Sequence, residues 1–362
     1  MNQTTGTATI GAIDETKVEA IVGQIVSEVG ATVNAALVVI GDRLGLWRAM
    51  ADGRPVTAAA LAARTATNER YVQEWLSAQA ASGYVTYDPD GQRFTLPAEH
   101  ALALADETSP VFLAGAFQSA TAVLQAQDAL TDRFRTGAGF GWHEHNDGLF
   151  DGCERHFGTL YRSQLVQDWL PALDGVVDRL TDGARVADVG CGHGASTVLM
   201  AKAFPAATFV GYDAHEASVA TARTRARGAG VDDRVSFEVA PAAQIPGRGF
   251  DLVTVFDALH DMGDPVAAAT RLRESLAPDG ICMIVEPAAA DDLAGNLHPL
   301  GRFAYAMSTM VCTPASLAQE GQRALGTQAG PARITQVLRR AGFSRVRCAV
   351  TTPFNLVFEA RP

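Results

Sequence analysis

The residue pattern best suited to binding a ligand is a glycine loop followed by a distant acid. The stretch Asp188-Val-Gly190-Cys-Gly192-His-Gly194 follows an apolar run, and Asp213 ends the next apolar run, 23 positions after Gly190. Glycines let a backbone turn tightly and approach a ligand without a Cβ clash. A carboxylate at the end of the second strand can accept both hydroxyls of a ribose. Loop and acid therefore favour a site for a ribose-containing ligand. The alternative is a tight strand–helix turn without a ligand, with Asp213 as a helix cap.

A second group of chemically versatile side chains, aromatic residues and histidines, lies between residues 142 and 161. Such residues can line an apolar pocket that holds a few polar groups. His143, His145 and His156 also raise the alternative of a zinc site, for which the nearby Cys153 is poorly spaced. On a strand, His143 and His145 would face opposite ways, so that only one of them would point inward.

An alternation of strands and helices must position the glycine loop. Helical stretches separate five strand-like runs, ARVADV, ATFVGYD, RVSFEV, FDLVTVF and GICMIVE. This order predicts an α/β fold with a doubly wound, mostly parallel, Rossmann-like sheet. Ligands bind at the carboxyl ends of the strands in such a sheet, which is where the glycine loop lies.

The first hundred residues predict helices followed by a small hairpin. Apolar residues recur at helical spacing from Val18 to Val29, and residues 31–50 are apolar on nearly every face, which predicts burial against a domain or a partner chain. Thr57 and Asn68 can cap two short helices, and Asp88-Pro-Asp-Gly91 is typical of a hairpin turn. Together these elements predict an N-terminal, α-rich, winged-helix-like domain.

The charge of this region argues against nucleic-acid binding, the usual function of a winged helix. Six arginines face seven acidic residues between positions 40 and 100, and the whole chain has 29 basic and 40 acidic residues, for a net charge of −11. Affinity for nucleic acid depends mostly on clustered lysine and arginine. We therefore expect the winged-helix unit to serve dimerisation or to cover a substrate.

The composition predicts a compact two-domain protein. The chain has 362 residues, of which 48% are hydrophobic and 19% charged, and its five cysteines form no CxxC pair. An odd number of scattered cysteines fits a reducing cytoplasm, and we find no signal peptide and no apolar run long enough to span a membrane. We expect three regions, a winged-helix-like dimerisation or lid domain (1–105), a helical connector contributing to a substrate pocket (106–175) and the strand–helix domain (176–362).

The motifs DVGCGHG, GYD, FDLVTVFDALHD and LAPDG, over about residues 180–362, resemble those of class I S-adenosylmethionine-dependent methyltransferases. With the winged-helix unit in front, the whole chain resembles two-domain small-molecule O-methyltransferases, and more closely their actinobacterial type. The resemblance implies S-adenosylmethionine as the cofactor, bound by the domain at 176–362. Together with the apolar helix near Ala35–Leu46, it also implies a homodimer formed through the N-terminal helices.

The resemblance further implies which residues bind the cofactor. The three loop glycines would line its methionine part, Asp188 would hold its ammonium through the loop or a water, and Asp213 would take the ribose diol, with Ala214 beside the adenine. The family often has an aspartate at the adenine after the third strand, and here backbone near Ala242 and the side chain of Gln244 would replace it. The full expected set is Asp188, Gly190, Gly192, Gly194, Asp213, Ala214, Ala242, Gln244 and Phe256.

The family's catalytic base is a histidine after the fourth strand, and His260 in His260-Asp-Met-Gly-Asp264 matches it, with methionine where the family has tryptophan. A neutral histidine can remove a proton from a hydroxyl at neutral pH. Glu286, at the end of the fifth strand, matches the acid that orients this histidine. The family's second orienting acid has no counterpart in Gly326–Gly330, where Gln328 could form only a neutral hydrogen bond. One alternative makes His260 a loop histidine and Glu286 a surface acid; the other is a metal site at His260, Asp261 and Asp264.

In enzymes of this plan, the connector and the segment after the fifth strand cover the substrate. The expected substrate residues are Trp142, His143, His145, His156, Tyr161, Met307 and Met310. We expect methyl transfer to a hydroxyl of a small molecule, without a metal. An N- or C-methyltransferase on the same fold is an alternative, and so is a DNA-binding regulator that senses S-adenosylmethionine.

Overall fold

The computed structural model describes residues 13–362. The chain divides into two compact units, the first ending at Asp106 and the second spanning Glu107–Pro362. The connector predicted at 106–175 thus belongs to the same compact unit as the sheet that follows it.

The first unit consists of helices and a two-stranded hairpin. Thr57 accepts a hydrogen bond from the Ala60 amide and Asn68 accepts two, from the amides of Arg70 and Tyr71, so each caps the helix that follows it. The elements are α1 (Glu15–Arg43), α2 (Leu46–Ala49), α3 (Ala58–Thr65), α4 (Glu69–Ala81), β1 (Thr86–Asp88), β2 (Arg93–Thr95) and α5 (Ala98–Leu104).

Helix α1 is partly buried toward its carboxyl end, within the segment 31–50 for which burial was predicted. The helix is continuous from Glu15 to Arg43, and the residues near its carboxyl end, including Val38 and Val39, are buried within the unit. The helix exposes an apolar stripe from Val18 to Val33, with exposed fractions of 44% to 66%. The stripe consists of Val18, Ile21, Val22, Ile25, Val26, Val29 and Val33.

The length and composition of α1 would also allow it to cross a membrane, which the sequence had not led us to expect. The same criterion is met by core helices of soluble proteins and by signal sequences, so α1 provides only weak evidence for a membrane span.

The second unit is built on a seven-stranded sheet in the order β5-β4-β3-β6-β7-β9-β8. The first five strands in this order run parallel, β9 is antiparallel to β7, and β8 is antiparallel to β9. The strands are β3 (Arg185–Val189), β4 (Thr208–Asp213), β5 (Val235–Val239), β6 (Phe250–Phe256), β7 (Leu276–Pro287), β8 (Arg345–Thr351) and β9 (Asn355–Arg361). The parallel, doubly wound sheet predicted from the sequence is confirmed.

Helices of the second unit surround this sheet. The α-helices are α6 (Ala114–Val123), α7 (Gln127–Thr136), α8 (Asp147–Leu160), α9 (Val176–Asp182), α10 (Ala195–Ala203), α11 (Glu216–Ala229), α12 (Pro265–Ser275), α13 (Pro299–Met307), α14 (Thr313–Leu317) and α15 (Gly330–Arg340). Two segments, Tyr161–Trp169 after α8 and Ser308–Cys312 after α13, are π-helical.

The strands are buried between two apolar cores. One core contains residues of α9, α10 and α11 with Trp169, and the other contains residues of α12 and α15. Because both faces of the sheet are covered, only the strand ends and the loops beyond them are free to form a site.

Candidate active site

A cavity of about 550 Å³ opens at the carboxyl ends of β3, β4 and β6. Its volume falls in the range typical of small-molecule sites. Twelve of the residues expected from the sequence line it: Trp142, His143, His156, Tyr161, Gly190, Gly192, Asp213, Ala214, Ala242, Phe256, His260 and Met307.

The glycine loop is held open toward this cavity. Gly190 and Gly192 have φ angles of +74° and +52°, a region that favours glycine. A Cβ at Gly190 would lie 2.8 Å from the Cβ of Ala258, whereas a Cβ at Gly192 would meet nothing within 4 Å. The loop can therefore bring its backbone close to a ligand at Gly192.

Asp213 connects the loop to the next strand. Its Oδ2 accepts a hydrogen bond of 2.8 Å from the Gly192 amide, and its Oδ1 accepts one of 2.8 Å from the His215 amide. Burial raises the pKa of Asp213, and these two amides lower it in part. Each oxygen keeps a lone pair for a further donor, so Asp213 has the chemistry needed to bind a diol.

Asp188 does not line the cavity, which is compatible with the indirect role through the loop or a water that the resemblance implied. It is fully buried; Oδ2 accepts hydrogen bonds from the hydroxyls of Ser196 (2.7 Å) and Thr197 (2.6 Å), and Oδ1 from that of Thr254 (3.0 Å). Asp188 therefore anchors the start of α10 to strands β3 and β6, and its effect on a ligand must pass through the loop.

Two further residues of the expected cofactor set lie outside the cavity lining. Gly194, with φ +76°, precedes α10, and a Cβ there would lie 2.7 Å from the Phe237 ring, so this glycine is required for packing. Gln244 is exposed at the end of a short 3-10 turn.

His260 and Glu286 form a buried pair, so the alternative of a loop histidine beside a surface acid does not hold. His260 is 3% exposed and Glu286 2% exposed. The Nδ1 atom of His260 lies 2.5 Å from Oε2 of Glu286, whose Oε1 accepts a hydrogen bond of 3.0 Å from the Leu259 amide. Because the carboxylate accepts at Nδ1, the proton of a neutral His260 belongs there, and Nε2 keeps its lone pair.

The charges around His260 determine its basicity. Burial lowers the pKa of His260, but the carboxylates of Glu286 and Asp261 raise it by more, so that it lies well above the usual value. Asp261 contributes through its Oδ1, 3.3 Å from Nε2 of His260. A histidine in this setting is a stronger base once it is neutral.

The structure does not bring together His260, Asp261 and Asp264, the residues of the metal site that the sequence offered as an alternative. Asp264 caps α12 through the amides of Val266 and Ala267, so it does not join His260 and Asp261. Cys312 lies close enough to those two residues for three ligand atoms to fall within 4.8 Å of one another. This group differs from the set that the sequence offered, because Cys312 takes the place of Asp264. We assign no metal here.

His145 and Met310, two of the expected substrate residues, do not line the cavity. The segment at 142–144 is a 3-10 turn rather than a strand, and the buried His145 ring packs edge-on against Phe140 at 4.8 Å. Met310 packs against the small core around Leu130 and Phe140. Among the described residues, no zinc cluster joins His143, His145 and His156.

Two polar pairs at the cavity have no counterpart among the sequence predictions. Glu154 on α8 accepts a hydrogen bond from His193 in the glycine loop, 2.9 Å away, and forms an ion pair with Arg225. Asn355, at the start of β9, donates a hydrogen bond of 3.1 Å to Asp257 at the end of β6. Neither pair has a sequence signal, because the partners lie 39 and 98 positions apart.

Comparison with known proteins identifies the family. Residues 180–342 match the family model of a methyltransferase domain, and residues 32–106 match that of an Rv2258c-like winged HTH domain. The 27-O-demethylrifamycin SV methyltransferase of Amycolatopsis mediterranei is 30% identical over 193 residues, which cover 48% of this chain and 71% of that protein. The chain belongs to the S-adenosylmethionine-dependent methyltransferases. Seven further curated relatives are matched over only 24% to 43% of their own length.

Solved structures of methyltransferases match the fold of this chain over nearly its whole length. Mitomycin 7-O-methyltransferase superimposes with a TM-score of 0.67 at 20% identity, covering 96% of this chain and all of the other. Human N-acetylserotonin methyltransferase, solved with S-adenosylmethionine, gives a TM-score of 0.63 at 16% identity, covering 98% of this chain and 99% of the other. The recognition of a methyltransferase domain behind a winged-helix domain is confirmed, and the cofactor is S-adenosylmethionine.

The cavity of this methyltransferase fits that cofactor. The open side of Gly192 provides room for a ligand, and Asp213 keeps acceptor capacity beside it. Ala214 and Ala242 add small apolar side chains to the lining on the β4 and β5 side.

Substitutions of Asp188 and Asp213 should have different effects, one on stability and the other on cofactor binding. We expect Asp213→Asn to weaken S-adenosylmethionine binding about tenfold to hundredfold, because an amide nitrogen would face one of the two backbone donors. We expect Asp188→Ala to lower the free energy of unfolding by about 1–3 kcal/mol, because it leaves three buried hydroxyls without their acceptor. Calorimetric titration and urea unfolding measure the two effects. Asp233→Asn, an exposed change of the same charge, is the control, and wild-type affinity in Asp213→Asn would contradict the assignment.

Proposed function

We propose that this methyltransferase transfers the methyl group of S-adenosylmethionine to a hydroxyl of a small, partly apolar molecule, with His260 as the general base. The observation that carries the proposal is the 2.5 Å contact between Nδ1 of His260 and Glu286 at the cavity that holds the glycine loop. A buried base whose Nδ1 is held by a carboxylate, beside a cofactor site, suits proton removal from a neutral hydroxyl.

The cofactor supplies an electrophilic methyl group when bound. Nε2 of His260 accepts the proton of the acceptor hydroxyl while Nδ1 stays hydrogen-bonded to Glu286. The positive charge that forms on the imidazole is stabilised by Glu286 and by Oδ1 of Asp261, an oxygen that accepts no hydrogen bond among the described residues. Glu286 is thus a positioning residue, and His260 is the catalytic one.

The lining of the cavity supports a flat or partly hydrophobic acceptor. Trp142, Phe157 and Phe303 supply aromatic surface, and Met307 supplies a flexible apolar side chain. His156 is a polar residue in this wall, and its Nδ1 is buried without a hydrogen-bond partner among the described residues. We assign Trp142, His143, His156, Tyr161 and Met307 to the acceptor side of the cavity.

We further propose a cytoplasmic homodimer in which the apolar stripe of α1 covers the same stripe of a second copy. Seven apolar residues on one helix face, each 44% to 66% exposed, form a surface that water solvates poorly. The described cysteines are all free, which fits a reducing compartment. The acidic balance of the winged-helix unit gives no basic footprint for nucleic acid.

His260→Ala should reduce O-methylation about 10²–10⁴-fold, because the acceptor loses its general base. Turnover is measured with deuteromethyl S-adenosylmethionine against a panel of phenols, alcohols and amines, with products detected by mass spectrometry. His100→Gln, a histidine of the N-terminal unit, is the matched control. Transfer to a hydroxyl within a few-fold of the wild-type rate would rule out His260 as the base, and labelled amine products alone would indicate an N-methyltransferase.

Glu286→Gln should move the acid limb of the pH–rate profile to lower pH. The reaction needs neutral His260, so kcat/KM rises as the pH increases through the pKa of His260, which the Glu286 carboxylate raises. Glutamine keeps the shape and an acceptor oxygen but removes the charge, so the acid limb shifts down and the maximal rate falls. Glu320→Gln, at an exposed position, should leave the profile unchanged. An acid limb that does not move in Glu286→Gln would disprove the coupling.

The double variant Val22→Glu/Val26→Glu should dissociate the dimer, because it places two charges in the apolar stripe. Light scattering after size-exclusion chromatography measures the mass, and Ser27→Glu, on the opposite face of α1, is the control. A wild-type monomer that floats with liposomes would refute the dimer and assign α1 to a membrane surface.

A further inference from the structure

Asp257 has an unusual backbone at the edge of the cavity. It directly follows β6, its φ is +47°, and its amide donates a hydrogen bond of 2.8 Å to Val285 of β7. Among the described non-glycine residues with positive φ, Asp257 is the one that lines the cavity. A left-handed conformation is uncommon for a residue with a Cβ, although aspartate and asparagine adopt it more readily than others, and it is found often where a side chain must meet a ligand.

The side chain of Asp257 is held but incompletely satisfied. Asn355, which is 1% exposed, donates to Oδ1 of Asp257. Oδ2 of Asp257 and Oδ1 of Asn355 are both buried, and neither accepts a hydrogen bond within the described chain. Two neighbouring acceptors at the wall of one cavity call for a donor, since buried polar groups are nearly always paired.

The charge of the surroundings indicates which kind of donor is missing. Burial raises the pKa of Asp257 well above its usual value, and repulsion from Glu286 raises it further. Among the described residues, no lysine or arginine lines the cavity, whereas Glu154, Asp213, Asp257 and Asp261 do. A positively charged ligand group would relieve this repulsion and satisfy the free oxygens.

We propose that Asp257, oriented by Asn355, binds the positively charged part of S-adenosylmethionine. The next residue, Ala258, lies against Gly190, so Asp257 stands beside the glycine loop. The cofactor carries both an ammonium and a sulfonium group, whereas an acceptor with a hydroxyl need carry neither. The proposal rests on cofactor binding alone, so it can fail while the assignment of His260 stands.

Asp257→Asn tests this directly, because asparagine has the same shape and tolerates a left-handed backbone. We expect the dissociation constant of S-adenosylmethionine to rise about tenfold to hundredfold in calorimetric titrations. S-adenosylhomocysteine, which lacks the sulfonium charge, and sinefungin, which has an amine at that position, are titrated in parallel. Asp182→Asn, an exposed change at the end of α9, is the matched control, and thermal unfolding checks that each variant is folded.

An equal loss for all three ligands identifies the ammonium as the bound group. A larger loss for S-adenosylmethionine and sinefungin than for S-adenosylhomocysteine identifies the sulfonium position. Unchanged affinities overturn the proposal, and so does a loss confined to amine-bearing acceptors. Asn355→Ala provides a second variant that leaves the Asp257 charge in place, and we expect it to weaken the same ligands by a smaller factor.

Discussion

The hydrogen bond between His260 and Glu286 depends on the pairing of two parallel strands. Phe256 of β6 lies opposite Val285 of β7, and Asp257 donates its amide to Val285, so the residues beyond β6 start level with Glu286. Glu286 pairs with Leu356 of β9 on its other side and cannot shift along its strand. The carboxylate is thus fixed by backbone pairing on both sides, and His260, in a short turn after β6, adapts to it. A side chain placed in this way needs little reorganisation during the reaction.

Four acidic residues lie near the same edge of the sheet, and their hydrogen-bond partners give them different roles. Asp188 lies within β3 and accepts hydrogen bonds from three hydroxyls, whereas Asp213 at the end of β4 is held by two backbone amides and keeps spare acceptor capacity. Asp257 after β6 has one oxygen without a partner among the described residues, and Glu286 in β7 is paired with an imidazole. Because burial raises the pKa of the three aspartates, the fold must stabilise each charge by local donors or leave it to a ligand.

The parts of the site that the sequence predicts are those encoded locally. The strand-like runs, the glycine loop and the acid after β4 are each short motifs whose geometry follows from residue type and spacing, and all of them lie where expected. The placement of His260 beside Glu286 required the family resemblance as well, because the two belong to different strands.

Predictions from the sequence are incomplete where packing between distant segments determines the position of a residue. Gly194 belongs to the loop motif, but it does not line the cavity, because the Phe237 ring lies against it. His145 was assigned by type and proximity, yet a 3-10 turn directs it into a core. The apolar face of α1 has the periodicity of a buried helix, and only the structure shows that the described residues of its own unit leave Val18–Val33 uncovered.

The charge pattern of the cavity constrains which acceptors the apolar wall can hold. An acceptor bearing a carboxylate or phosphate would enter a space whose described lining has four acids and no lysine or arginine. It would lose hydration without gaining a lysine or arginine partner, a cost that aromatic contacts from Trp142 and Phe303 would not offset. A neutral phenol or alcohol meets no such penalty, since its hydroxyl can donate to Nε2 of His260. On the proposed function, we therefore expect the acidic lining to disfavour anionic acceptors without any residue dedicated to that selection.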